Sequence, residues 1–174
     1  MEIKDSGNRR TFAGGGVRDM AEGKGACHLL PLDIISEIFA YAEQNKDLHL
    51  KPHEILNCLS EYQNNNVETG IYAAITSFAN DRFGNLPTAM LELAIHFEMG
   101  AKKYTPNNWR YIGEVDTFLD SAVRHFLKVC RGDNDEPHDR AFLWNLVCLL
   151  WTAENKPECN DLPYTTQVKE GDGE

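Results

Sequence analysis

The sequence predicts an all-α fold, a single-domain helical bundle preceded by an extended glycine-rich arm. Three observations predict it. Apolar residues recur at the spacing of one helix face in successive segments. Proline and glycine fall where helices open and close. No stretch shows the strict alternation of a half-buried strand. With 174 residues, 42% hydrophobic and 25% charged, the chain has room for one core of moderate size.

The elements follow in order. Residues 1–28 read as an extended arm, because Gly14, Gly15, Gly16, Gly23 and Gly25 would each cost a helix interior about 1 kcal/mol. Residues 29–164 form the helical domain, and 165–174 a polar tail, disordered from Lys169 on. A first helix runs from Pro31 to about Gln44, with Ile34, Ile35, Ile38, Phe39 and Ala42 on one face. Two shorter helices span Pro52–Tyr62 and Ile71–Phe78, and Asp81–Asn85 reads as a loop. Pro87 opens a helix that Gly100 should stop near Met99; Lys102–Trp109 is then a loop, since Pro106 forbids continuation. A helix over Asp116–Cys130 carries Phe118, Ala122 and Phe126 on one face. The last helix, Pro137 to about Glu154, is apolar nearly all round and should be the buried central one.

Charge and cysteine usage exclude several classes. Lys plus Arg number 17 and Asp plus Glu 27, a net charge of -10. An acidic chain with no basic run lacks the charge that duplex nucleic acid or an anionic membrane requires, though a few Lys and Arg can still converge on a small anion. Five cysteines in irregular spacing, with no CxxC, fit neither a disulfide framework nor a zinc-thiolate site. The charged start, Met1–Arg10, is no signal segment, and the longest apolar run, Phe142–Trp151, is far short of the roughly 20 residues of a membrane span. The expectation is a cytoplasmic protein. Gly14 and Gly16 do not make a dinucleotide loop, because position 19 is Asp and no strand precedes. The Gly16–Lys24 stretch has the wrong spacing for a phosphate loop, and Gly25 follows the Lys.

Four groups can carry chemistry. Glu92 and His96 are four apart on one helix face, and Lys103 extends that line; Glu98 and Lys102 form a separate pair that reads as a solvated ion pair worth a few tenths of a kcal/mol. Asp116, Asp120 and Arg124 repeat every fourth residue opposite an apolar stripe, with His125 at its edge. This is either an exposed ladder or a carboxylate for a hard cation beside an Arg for phosphate. On the last helix, Asn145 lies two turns after His138, with Asp139, Arg140, Asp133 and Asp135 near the helix start. A polar stripe on a buried helix implies either a capping network or a site between helices, and Asn145 and His138 should then face the same cavity as Asp120. The loop with Lys102, Lys103, Tyr104, Asn108 and Trp109 offers cations for phosphate and rings for a base, or else rings that merely anchor the loop.

In order along the chain stand Gly16-Val17-Arg18-Asp19, Glu22-Gly23-Lys24-Gly25, Leu30-Pro31-Leu32-Asp33, His96-Phe97-Glu98, Gly100-Ala101-Lys102-Lys103-Tyr104, Asn108-Trp109, Asp120-Ser121-Ala122-Val123-Arg124-His125, Asp135-Glu136-Pro137-His138-Asp139-Arg140 and Trp144-Asn145. From about Gly14 to Tyr164 this resembles the phage and prophage proteins named dATP/dGTP diphosphohydrolase domain proteins. Ala26 and His28 depart from the Arg and Asp that relatives tend to carry there. The resemblance implies an all-α fold similar to nucleotide pyrophosphatases of the MazG kind. It also implies Mg²⁺-dependent cleavage of a (deoxy)purine nucleoside triphosphate to monophosphate and pyrophosphate.

On that reading Glu92, Asp120 and Asp135 hold the metal, with Glu92, His96 and Asp120 catalytic. Lys24, Lys102, Lys103 and Arg124 hold the phosphates, Trp109 or Tyr104 stacks on the base, Asn108 or Asn145 reads its edge, and Arg18, His125, His138 and Arg140 also belong to the substrate site. A homo-oligomer is expected. The alternative is a non-catalytic sponge that sequesters a host defence signalling nucleotide. A third reading takes His138-Asp139 as the doublet of a metal-dependent phosphohydrolase.

Overall fold

The computed structural model describes residues 7–20 and 22–163. The expected tail lies outside the described residues. Six helices account for most of the chain: α1 (Leu32–Gln44), α2 (Pro52–Asn65), α3 (Glu68–Phe83), α4 (Leu86–Lys103), α5 (Val115–Arg131) and α6 (His138–Asn155). The all-α reading holds. The arm is a small antiparallel hairpin, β1 (Arg9–Thr11) and β2 (Val17–Asp19). Strands of three residues are too short to leave a periodic signal.

Several helix ends lie beyond their expected places. Helix α4 passes Gly100 and ends at Lys103, three residues later. One glycine lowers helix stability without breaking the hydrogen-bond ladder, whereas Pro106 disfavours helical backbone at the residue before it. The stretch 81–83, read as loop, continues α3, which closes at Gly84 with φ 79°. Helix α2 runs on to Asn65, and Asn66 takes the left-handed conformation, φ 53°. At the start of α4, Asn85 Oδ1 accepts the Thr88 N–H at 2.8 Å, and Pro87 occupies the first turn where no N–H is needed.

Helix α6 is central, as its composition implies. Phe142, Leu143, Leu146, Val147, Cys148 and Leu149 are all 0% exposed. It packs against α5 along its length and also touches α4, α3 and α1. Phe142 fixes the crossing with ring centroids 4.6 Å from Phe78 of α3 and 5.2 Å from Phe126 of α5. This packing sets the start of α6, and the loop before it, between α4 and α5. Among the described residues no helix is long and apolar enough to cross a membrane.

Candidate functional site

Two cavities flank the start of α6 and share the wall made by Glu136 and Pro137. The first, of about 570 Å³, is polar. Glu92, Asp133, Asp135, Glu136 and Asp139 supply carboxylates, Arg82 and Arg140 cations, and His138 part of the floor. The second, of about 670 Å³, lies between α4, the loop after it, α5 and α6. It is lined by His96, Lys103, Tyr104, Asn108, Trp109, Ser121, His125, Trp144 and Asn145, among others. Helix α4 serves both cavities: Glu92 faces the first and His96, one turn on, the second.

Between the cavities runs a chain of polar side chains. His138, 2% exposed, donates from Nε2 to Asp135 Oδ1 at 2.7 Å. Its Nδ1 lies 2.9 Å from His125 Nδ1 and 3.3 Å from Glu136 Oε1. Both ring nitrogens of His138 are thus engaged within the protein, so the ring holds Asp135 and His125 in place. Lys128 stands 3.5 Å from Asp135 and 3.6 Å from Glu136. The bond from His138, its largest influence, holds the Asp135 carboxyl below the usual carboxylate range.

Two residues of the second cavity's wall carry sealed polar atoms without hydrogen-bond partners. Trp109 is 5% exposed, and its Nε1 has no hydrogen-bond partner. The Nδ1 of His96 is likewise buried and unpartnered. Asn145, 5% exposed, donates to the Ala141 carbonyl of its own helix at 2.8 Å. Burial, reinforced by His125 and Arg140, pushes the His96 pKa down to about 4. His96 is therefore neutral at pH 7, while an unfolded chain would protonate it below its ordinary value of about 6.5. The unfolded state binds the extra proton in that window, so stability should fall as pH drops from about 6.5 to about 4. Thermal melts of the parent and of His96→Gln check this. The variant should show a flatter loss over that window, and parallel curves would refute the assignment.

The structure distributes the other expected site residues differently. Asp120 and Arg124 pair with each other on the exposed side of α5, and Asp120 lines neither cavity. His138 and Asn145 therefore do not share a cavity with Asp120: His138 lines the first cavity and Asn145 the second, because the two are stacked along α6. Glu92 pairs with Arg140, and Arg82 reaches Asp139 at 3.9 Å. Trp109 packs edge-on against Phe97 and Trp151 and is a core ring at the cavity wall, whereas Tyr104 is 60% exposed at the mouth.

Lys102 and Glu98 are more than a solvated pair. The Glu98 side chain is only 14% exposed and accepts the Gly23 N–H at 2.9 Å and the Gly25 N–H at 3.0 Å. Those bonds, with Lys102, lower its pKa. Lys102 also meets Glu22 at 3.0 Å. A Cβ on Gly25, whose φ is +84°, would meet Ala94 Cβ at 3.0 Å, so only glycine fits this approach. Lys24 meets Asp19 at 3.6 Å, and Arg18 lies on β2, so both stay within the arm.

A family model described as dATP/dGTP diphosphohydrolase, N-terminal, matches residues 75–162, half of the chain. The chain belongs to this family. No curated protein and no solved structure matches it. The family match spans α4, α5, α6 and the loops between them, and so contains nearly all of both cavity linings. Within the dATP/dGTP diphosphohydrolase match, Glu136 joins the residues that spacing singled out, Asp133 and Asp135 among them. Their signal in the sequence is the acidic loop that ends in Glu136-Pro137 just before a buried helix.

Proposed function

We propose that the chain hydrolyses a (deoxy)purine nucleoside triphosphate to its monophosphate and pyrophosphate, with Mg²⁺ as cofactor. The observation that carries this reading is the pair of cavities joined at Glu136-Pro137, one walled by aromatic and amide groups and the other by carboxylates and arginines. A nucleoside triphosphate has the same two halves. The base and sugar suit the cavity of Trp109, Trp144, Tyr104 and Asn145, whose rings and amide offer stacking and hydrogen bonding. The phosphates suit the cavity of Arg82 and Arg140.

The donor set fits a divalent cation. Asp133, Asp135 and His138 offer atoms within 4.8 Å of one another, as do His125, Glu136 and His138. Both His138 nitrogens are engaged within the protein, so the donors would be the oxygens of Asp133, Asp135 and Glu136, which now face Arg131, His138 and Lys128, and Mg²⁺ is usually held by one or two carboxylates together with substrate phosphates. When bound there, the cation would neutralise phosphate charge and lower the pKa of a bound water. His138 orients Asp135, Lys128 places a cation beside Asp135 and Glu136, and Arg140 can exchange Glu92 for a phosphate oxygen.

Incubation of the pure chain with dATP or dGTP, with and without Mg²⁺, tests the reading. Monophosphate and pyrophosphate should appear in equal amounts and only with the cation. Intact triphosphate after long incubation with Mg²⁺ would overturn it. Stoichiometric retention of an unaltered nucleotide would show sequestration in place of turnover.

A further inference from the structure

Asn145 sits on the central helix α6, is 5% exposed, and lines the second cavity beside Trp144. Its amide nitrogen donates to the Ala141 carbonyl at 2.8 Å. A carbonyl oxygen only accepts, so this bond fixes which end of the amide faces the helix backbone and directs Oδ1 away from Ala141. Among the described residues Oδ1 meets no donor of the chain. Nor is it sealed, unlike Trp109 Nε1 and His96 Nδ1 in the same wall. The small surface that Asn145 keeps therefore includes this oxygen, and it opens on the cavity. A buried side chain that holds one acceptor toward an aromatic-lined cavity fits a recognition group.

The surroundings decide which donor it meets. The Trp144 ring lies 5.9 Å from His96 and 6.0 Å from Phe118, so the wall beside Asn145 is aromatic. His96 is neutral at pH 7, and Lys103, the one Lys or Arg among the described residues of this lining, is exposed. A phosphate set against Oδ1 would face an oxygen with an oxygen and find no buried cation. A flat, uncharged ring suits the same wall, provided that its edge carries a donor. A ring carbonyl at that place would again set acceptor against acceptor. Adenine and guanine each carry an exocyclic amino group, a donor on a flat ring.

We propose that Asn145 Oδ1 accepts a hydrogen bond from the exocyclic amino group of the purine and so selects amino-bearing bases. The assignment rests on the nucleotide reading of the second cavity, and its test reads binding without turnover. The ligands are deoxynucleoside monophosphates in two pairs: dAMP against its analogue with hydrogen in place of the 6-amino group, and dGMP against dIMP, which lacks the 2-amino group. Calorimetric titration of the parent should show the amino-bearing member of a pair bound about tenfold more tightly or better, and the pair that does so tells adenine from guanine. Asn145→Leu, an apolar side chain of similar size, should bind both members of that pair within about twofold of each other. Asn145→Ala, which a helix interior accepts, makes the same comparison without filling the space. A far-UV spectrum like the parent's shows that each variant is folded. Equal binding within both pairs by the parent, or a preference that survives in the folded variants, overturns the proposal. If triphosphate is still cleaved in that case, the hydrolase reading stands and only the role of Asn145 falls. If no nucleotide is bound or cleaved, both fall.

Discussion

Asp135→Asn should lower the rate of pyrophosphate release from dATP or dGTP by about a hundredfold or more, the scale expected when a metal-site carboxylate or its oriented partner is lost. Asp120→Asn should change it by less than about threefold, as befits an exposed ion pair. The two variants have the same chemistry and differ in place. Asp135 lines the polar cavity and is held by His138, while Asp120 faces away from both cavities with Arg124. Neither should melt more than a few degrees below the parent, since both side chains are largely exposed. Pyrophosphate release at saturating Mg²⁺ and a thermal melt settle the comparison. Equal losses would return Asp120 to the site, and an unaffected Asp135→Asn would remove the polar cavity from the chemistry.

Asp120 shows where helical spacing stops being informative. Its ladder with Arg124 points outward, yet the next residue in each case, Ser121 and His125, lines the second cavity. One residue is about 100° around a helix, so the site lies on the border between the apolar stripe and the polar face. Periodicity finds the two faces and is poor at ranking residues on their border. The start of α6 was more legible, because Asn145 and His138 on an otherwise apolar helix are polar groups whose burial must be compensated. Glu98 was not legible at all. Its partners Gly23 and Gly25 are more than seventy residues away, and nothing in the local pattern distinguishes the clamp from an ordinary pair with Lys102. The helices themselves were readable because their apolar faces are local in sequence. Their ends were less so, as at Gly100, where an intrinsic cost near 1 kcal/mol is outweighed by the packing of the rest of α4.

Phe142→Ala should destabilise the fold by about 3–5 kcal/mol, the cost of emptying a well-packed aromatic site. For a chain of this size that corresponds to a melting temperature lower by about 10 °C. Phe142 is 0% exposed and lies between Phe78 and Phe126, so α3, α5 and α6 close on its ring. It is also one turn after His138, which makes it the nearest core anchor for the loop carrying Asp133, Asp135 and Glu136. Phe142→Leu should lose less than Phe142→Ala, because it leaves a smaller void. Assayed well below its transition, folded Phe142→Ala should bind nucleotide in the second cavity more nearly like the parent than it releases pyrophosphate. The second cavity is walled largely by α4 and the Trp109 loop, whereas the first depends on the position of the α6 start. A Phe142→Ala protein that melts within about 2 °C of the parent would show that α6 is not the element on which the other helices close.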